Sequence, residues 1–173
     1  MFARFIHIST DHVYDGKGPH LESEINLINV YASTKYQADV LVNNFGGTVL
    51  RTNFLGKSWQ TGRESFTDWL INSMIKGENL NLFDDVRFNA VHQSFLSHII
   101  KICMEKKING IFNISSDGSI LKSDFAIELA NFIGFKSFKY KLISSKDIGS
   151  LAKRSKDMTL DNNKAKSHFK TIF

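Results

Sequence analysis

Tyr31 and Lys35 stand four residues apart in the stretch Tyr31-Ala-Ser-Thr-Lys35. On a helix that spacing places a phenol and an ammonium on one face, one turn apart. A free phenol has a pKa of about 10 and gives up its proton reluctantly at neutral pH. A neighbouring ammonium favours the phenolate and makes it a better acid. Thr10, at the end of an apolar segment upstream, adds a hydroxyl that can orient a substrate oxygen. Together these groups could deliver or remove a proton at a carbonyl while a hydride moves at carbon. A Tyr-x-x-x-Lys pair alone is weak, because a surface helix carries such pairs by chance. It gains weight from the order strand, Ser9-Thr10, loop, Tyr and Lys early on a helix, strand.

Phe5 to Ser9 reads as a buried strand. Thr10 to Glu24 is polar, holds Gly16, Gly18 and Pro19, and is expected to run as a loop over the surface. Asn29 is a candidate N-cap for a helix to about Asn44, stopped by Gly46-Gly47. Thr48 to Thr52 is a second strand, and strand–helix–strand order implies a parallel pair. Helices are expected over 64–76, 93–105 and 124–133, with strands over 79–83, 111–114 and 138–143. Ser144 to Leu151 and Asp161 to Phe169 read as two further short helices.

The fold class is therefore α/β: a parallel sheet carrying the first strands, plus a smaller α+β lobe. The expected division is 1–57 for the sheet half and 58–173 for the lobe, with about 92–115 returning to the sheet.

Composition excludes several classes. Of 173 residues, 42% are hydrophobic and 23% charged, as in ordinary globular chains. The lone Cys103 lies in an apolar run and reads as a buried thiol. Without a second cysteine no internal disulfide can form, which suits a reducing cytoplasm. No apolar run reaches membrane-spanning length. Residues 136–170 hold ten Lys or Arg against three Asp. That basic segment lacks a stacking platform and reads as a solvated rim, or one that attracts a small anion, rather than a nucleic-acid surface. The six histidines lack metal-ligand spacing, and Asp84-Asp85 reads as a turn pair rather than a metal site.

Taken in order, the motifs ISTDHVYDGKGPHLESE, NVYASTKYQAD and VLRTNFLG resemble the C-terminal part of extended short-chain dehydrogenases/reductases, specifically the dTDP-4-dehydrorhamnose reductase family. GIFNISSDGSILKSDFAIELANFIGF and KRSKDMTLDNNKAKSHF resemble that family's substrate lobe. The resemblance implies the C-terminal half of a Rossmann-like parallel sheet plus a small α+β substrate-binding lobe, and NAD(P)H-dependent reduction of a nucleotide-activated 4-keto-6-deoxy sugar. It assigns Thr10 as the orienting hydroxyl, Tyr31 as general acid, and Lys35 as the group that tunes Tyr31 and holds the nicotinamide ribose. It further implies that Thr52 and Asn53 meet the cofactor, NADP or NAD, and that Asp11, Phe54 and Arg87 meet the substrate. Arg87 resembles a position facing the nucleotide pyrophosphate, and Arg51 either faces the cofactor or makes a sheet-edge salt bridge. His12 stands where the family often has an aromatic residue, and Phe54 where it often has Trp.

A dinucleotide fold needs a glycine-rich turn after its first strand, and neither G-x-G-x-x-G nor G-x-x-G-x-x-G occurs here. The expectation is a chain that lacks the cofactor half and is inactive alone. Its expected partners are a nucleotide sugar and an N-terminal polypeptide or a second copy, with neither nucleic acid nor membrane. The alternatives are a non-catalytic sugar-nucleotide-binding or scaffolding remnant, or a fragment of a nucleotide-sugar epimerase or dehydratase.

Overall fold

A computed structural model describes residues 4–147, 149 and 152–170. Strand β1 (Ile6–Ile8) pairs in parallel with β2 (Thr48–Thr52), and β2 with a later strand, Gly110–Ile114. The sheet order places β2 in the centre. All five residues of β2 are buried, as expected of a strand covered on both faces.

Helix α1 (Val30–Asn44) makes the crossover between β1 and β2. The Asn29 side chain caps it by accepting from the Ala32 amide at 2.8 Å. At Gly47 the chain turns so tightly that a Cβ would lie 2.6 Å from Val42 Cγ1 and 2.9 Å from the Phe5 carbonyl oxygen. Only glycine fits between α1 and β1 there.

Strand β3 (Phe54–Leu55) leads to helix α2 (Phe66–Lys76). Ser65 and Asp68 form a reciprocal capping box at its start. Then come β4 (Leu80–Phe83), β5 (Arg87–Phe88), β6 (Val91–His92) and α3 (Gln93–Lys106). The Gly110–Ile114 strand is β7, followed by β8 (Ile120–Leu121), α4 (Lys122–Phe132), β9 (Tyr140–Ile143) and α5 (Asn163–His168). Small ribbons join β3 to β6, β4 to β9 and β5 to β8.

Two of the three apolar clusters among the described residues hold these layers. Leu50, Ile99, Cys103, Phe112, Ile114 and Phe169 fill the space beside the main sheet. Leu70, Met74, Leu80, Leu82, Ala126 and Ala130 pack α2 and α4 onto β4. Cys103 is fully buried, and burial pushes its thiol up to about 11. That makes it an inert structural residue. The α/β class and the parallel sheet expected from the sequence are both present.

Three expectations fail, the first in part. Residues 10–24 are a surface loop only in part: 15–19 and 21–24 are exposed or half-exposed, but Asp11–Val13 forms a single 3-10 turn, and Val13, Tyr14 and His20 are buried. Polar residues and turn formers set the expectation. They hide the fact that Val13 and Tyr14 pack against Leu160 from the far end of the chain. His20 bridges to Leu160 and stacks on Tyr14. The helix expected over 144–151 is instead a turn through 144–147, with 148, 150 and 151 outside the described residues. The Asp85 carboxylate accepts from the Ser144 hydroxyl and the Ser145 amide, holding that turn in place of a helical ladder.

Arg51 lies neither at a sheet edge nor at the surface. It sits on the central strand, 1% exposed, with its Nε on Asp39 Oδ2 at 2.8 Å. Its Nη1 donates to the Tyr14 hydroxyl and to the Glu22 carbonyl.

Candidate active site

Thr10, Asp11, Tyr31, Lys35 and Asn53 gather at the C-terminal ends of β1 and β2, the end at which open α/β sheets place their ligands. Thr10 ends β1's run and is buried. Its Oγ1 accepts from the His12 amide at 3.1 Å, capping the 3-10 turn, and faces Asp11 Oδ1 at 3.2 Å. The other Asp11 oxygen accepts from Asn53 Nδ2 at 2.8 Å. Thr10, Asp11 and Asn53 thus form one hydrogen-bonded unit linking the two strand ends. Burial raises the Asp11 pKa, against the opposing pull of His12, Asn53, Lys122 and Thr10.

Tyr31 lies in the first turn of α1 and is 54% exposed. Its ring meets the His12 imidazole edge-on, with centroids 5.6 Å apart. Lys35, one turn further, donates from Nζ to the Ile8 carbonyl oxygen at 2.7 Å. That bond pins the lysine against the end of β1, two residues before Thr10. The ammonium has three donors, and its other two take no protein partner among the described residues.

His12, Asn29, Tyr31, Lys153 and Arg154 line a cavity of about 650 Å³. A second cavity of about 510 Å³ shares Lys153 and Arg154 and adds Asp15, Ser145, Lys146 and Lys156. The two run together along one basic wall. Lys153 is tied to Asp15, and Lys156 to Asp85.

The remaining sequence-derived residues are Thr52, Phe54 and Arg87. Thr52, the last residue of β2, gives its hydroxyl to the Ile114 carbonyl at 2.8 Å, a bond from the central strand to β7. Phe54 is half-exposed on β3, and Arg87 on β5 donates to Ser119 Oγ at 3.1 Å. Neither Phe54 nor Arg87 lines the two cavities beside Tyr31.

Three residues of the site were not assigned to it from sequence. His12 stood out only as a departure from an aromatic pattern. Lys122 looked like a helix start, yet its side chain is half-buried, with Nζ 5.7 Å from the Phe66 ring centre. Arg154 was one cation of the basic segment. Burial lowers the pKa of Lys122, opposed by Asp11 and reinforced by Arg154. Burial likewise lowers His12, with Asp11 pulling the other way and Lys122 and Arg154 reinforcing.

The parallel sheet with a crossover helix and a strand-end cleft defines a Rossmann-like α/β protein. In fold the chain is similar to the dTDP-4-dehydrorhamnose reductase of Bacillus anthracis solved in complex with NADP. It matches that structure at a TM-score of 0.83 and 21% identity, covering 96% of this chain and 59% of the other. The model of the RmlD substrate binding domain matches residues 2–173, and the chain belongs to that family.

Two curated relatives bracket its resemblances. One is a probable low-salt glycan biosynthesis reductase of Haloferax volcanii, 23% identical over 137 residues, covering 75% of this chain and 46% of the relative. The other is methionine adenosyltransferase 2 subunit beta of Bos taurus, 26% identical over 169 residues, covering 92% of this chain and 50% of the relative. The chain thus spans about half the length of the curated relatives it matches.

Proposed function

We propose that the chain carries the proton-handling and sugar-facing part of a reductase acting on a nucleotide-activated 4-keto-6-deoxy sugar such as dTDP-4-dehydrorhamnose. Tyr31 gives its proton to the carbonyl oxygen. Lys35 stabilises the phenolate left behind, and Thr10 with the Asp11–Asn53 unit orients the sugar. The observation that carries this reading is the half-exposed Tyr31 phenol at a cavity mouth, with Lys35 pinned one helical turn behind it.

The donor set fits a nicotinamide nucleotide at its ribose end, because Lys35 retains two N–H groups and Tyr31 is open. When bound, NADP or NAD supplies the hydride. Thr52 fits less well as a cofactor contact, since its hydroxyl is committed to Ile114. Asn53, Phe54 and Arg87 remain proposed contacts to cofactor, sugar and pyrophosphate. We assign 1–57 to the sheet half and 58–173 to the substrate lobe, with 92–115 returning to the sheet. No glycine-rich phosphate turn occurs in these 173 residues; we assign that turn to an N-terminal segment or polypeptide, or to a second copy, and the assembly to the cytoplasm.

Joining the chain to such a polypeptide and following NADPH oxidation with the keto sugar tests the reading. Turnover that depends on Tyr31 supports it. The chain by itself should bind NADPH weakly, and micromolar affinity in calorimetry would contradict that part.

The match to a subunit of methionine adenosyltransferase supports a second reading. There the lobe serves within another enzyme's assembly, without a redox step. Nucleotide-sugar binding with no NADPH oxidation in the joined protein would favour it.

A further inference from the structure

Proton transfer from Tyr31 gives no role to the His12 imidazole of the same cleft. The His12 ring lines the same cavity as Tyr31 and meets it edge-on at 5.6 Å. Neither ring nitrogen hydrogen-bonds a protein group among the described residues, and the ring is only partly buried. The groups facing it are Asp11, Tyr31, Lys122 and Arg154.

We infer that His12 is a second acid–base residue, placed to exchange the proton on a carbon next to the carbonyl that Tyr31 engages. This rests on the keto-sugar reading above. It adds an activity that requires no nicotinamide nucleotide and no net redox change.

The step balances without another reactant. A lone pair on the neutral imidazole takes the proton from the α-carbon. The C–H bonding electrons form a carbon–carbon double bond, and the carbonyl π electrons move to oxygen. That oxygen takes the Tyr31 proton, giving an enol, an imidazolium and a phenolate. Return of the two protons restores the ketone. An imidazolium that has exchanged with solvent returns solvent hydrogen to carbon.

The surroundings match both ends of this cycle. Burial first, then Lys122 and Arg154, keep His12 in the neutral form that a base needs. The neighbouring Asp11 stabilises the imidazolium once it forms, and Lys35 the phenolate. A reacting ketone and its α-hydrogen span only a few ångström, so two groups in edge contact can serve both at hydrogen-bond reach of about 3 Å.

The experiment uses the chain alone with dTDP-4-dehydrorhamnose in D₂O, without nicotinamide nucleotide. Deuterium at the carbons flanking the carbonyl is read by mass spectrometry and NMR, and sugar-nucleotide affinity by calorimetry. The expected result is incorporation well above the buffer blank. It should fall about 100-fold in His12→Gln and in His12→Phe, the usual scale of general acid–base catalysis, with affinity kept. His12→Phe retains an aromatic edge against Tyr31 and so separates packing from proton transfer. Binding without incorporation, or incorporation unchanged in both variants, would overturn the inference and leave the reductase reading standing. Failure to bind the sugar nucleotide at all would overturn the substrate reading, and this inference with it.

Discussion

The Arg51 guanidinium and the Asp39 carboxylate meet at 2.8 Å inside the protein, with exposures of 1% and 0%. The pair joins the central strand to α1. Through the Tyr14 hydroxyl, it also joins the turn after β1 to Asn113 on β7. Burial pushes the Tyr14 phenol up to about 12, so it remains a neutral hydrogen-bonding link. The scaffold beneath the cleft is thus braced by a polar network rather than by apolar packing alone.

Removing one partner strands the other charge in the interior. Asp39→Ala should lower unfolding free energy by about 3–5 kcal/mol. Urea denaturation of Asp39→Ala, Arg51→Met and the double variant measures this. The double variant should lose less than the sum of the single ones, because no charge is left unpaired.

His7 gives a pH dependence. Burial first, then the Lys35 ammonium, hold its imidazole below the ordinary 6.5, against the pull of Asp39. His7 Nε2 and Asp39 Oδ1 face each other at 3.4 Å without hydrogen-bond geometry. The unfolded chain takes up a proton more readily there. The stabilising contribution is therefore complete above about pH 6.5 and is lost as pH falls through the lower folded-state value. Denaturant midpoints between pH 5 and pH 8 should show the decline, and His7→Gln should flatten it.

On the sheet, β1 is an edge strand among the described residues, flanked by the exposed rings of Phe5 and Phe45. An uncovered edge invites pairing with another chain. Light scattering should show mass rising with concentration above the 19.7 kDa of one chain. A constant monomer mass across a wide series would count against it. Adding an N-terminal polypeptide that covers β1 should suppress the rise.

Local signals carried much of the fold. Asn29 as cap, Gly46-Gly47 as stop and the Thr-Val-Leu-Arg-Thr stretch of 48–52 are short-range features, and each marks the element it foretold. The failures were long-range. Nothing near Val13 or Tyr14 announces Leu160, and nothing near Ser144 announces Asp85. Arg51 looked like a site or edge residue because its partners, Asp39, Tyr14 and Glu22, are scattered through the sequence. The same holds in the cleft. Tyr31 and Lys35 are visible as a helical pair, whereas Lys122 and Arg154 reach His12 only through the fold.

The most direct measurement is hydride transfer from NADPH to dTDP-4-dehydrorhamnose by the chain joined to a cofactor-binding N-terminal polypeptide, compared with its Tyr31→Phe variant. The phenylalanine form should keep the fold and sugar-nucleotide affinity and lose turnover by about 100-fold or more. Equal turnover in the two proteins would contradict the role given to the phenol.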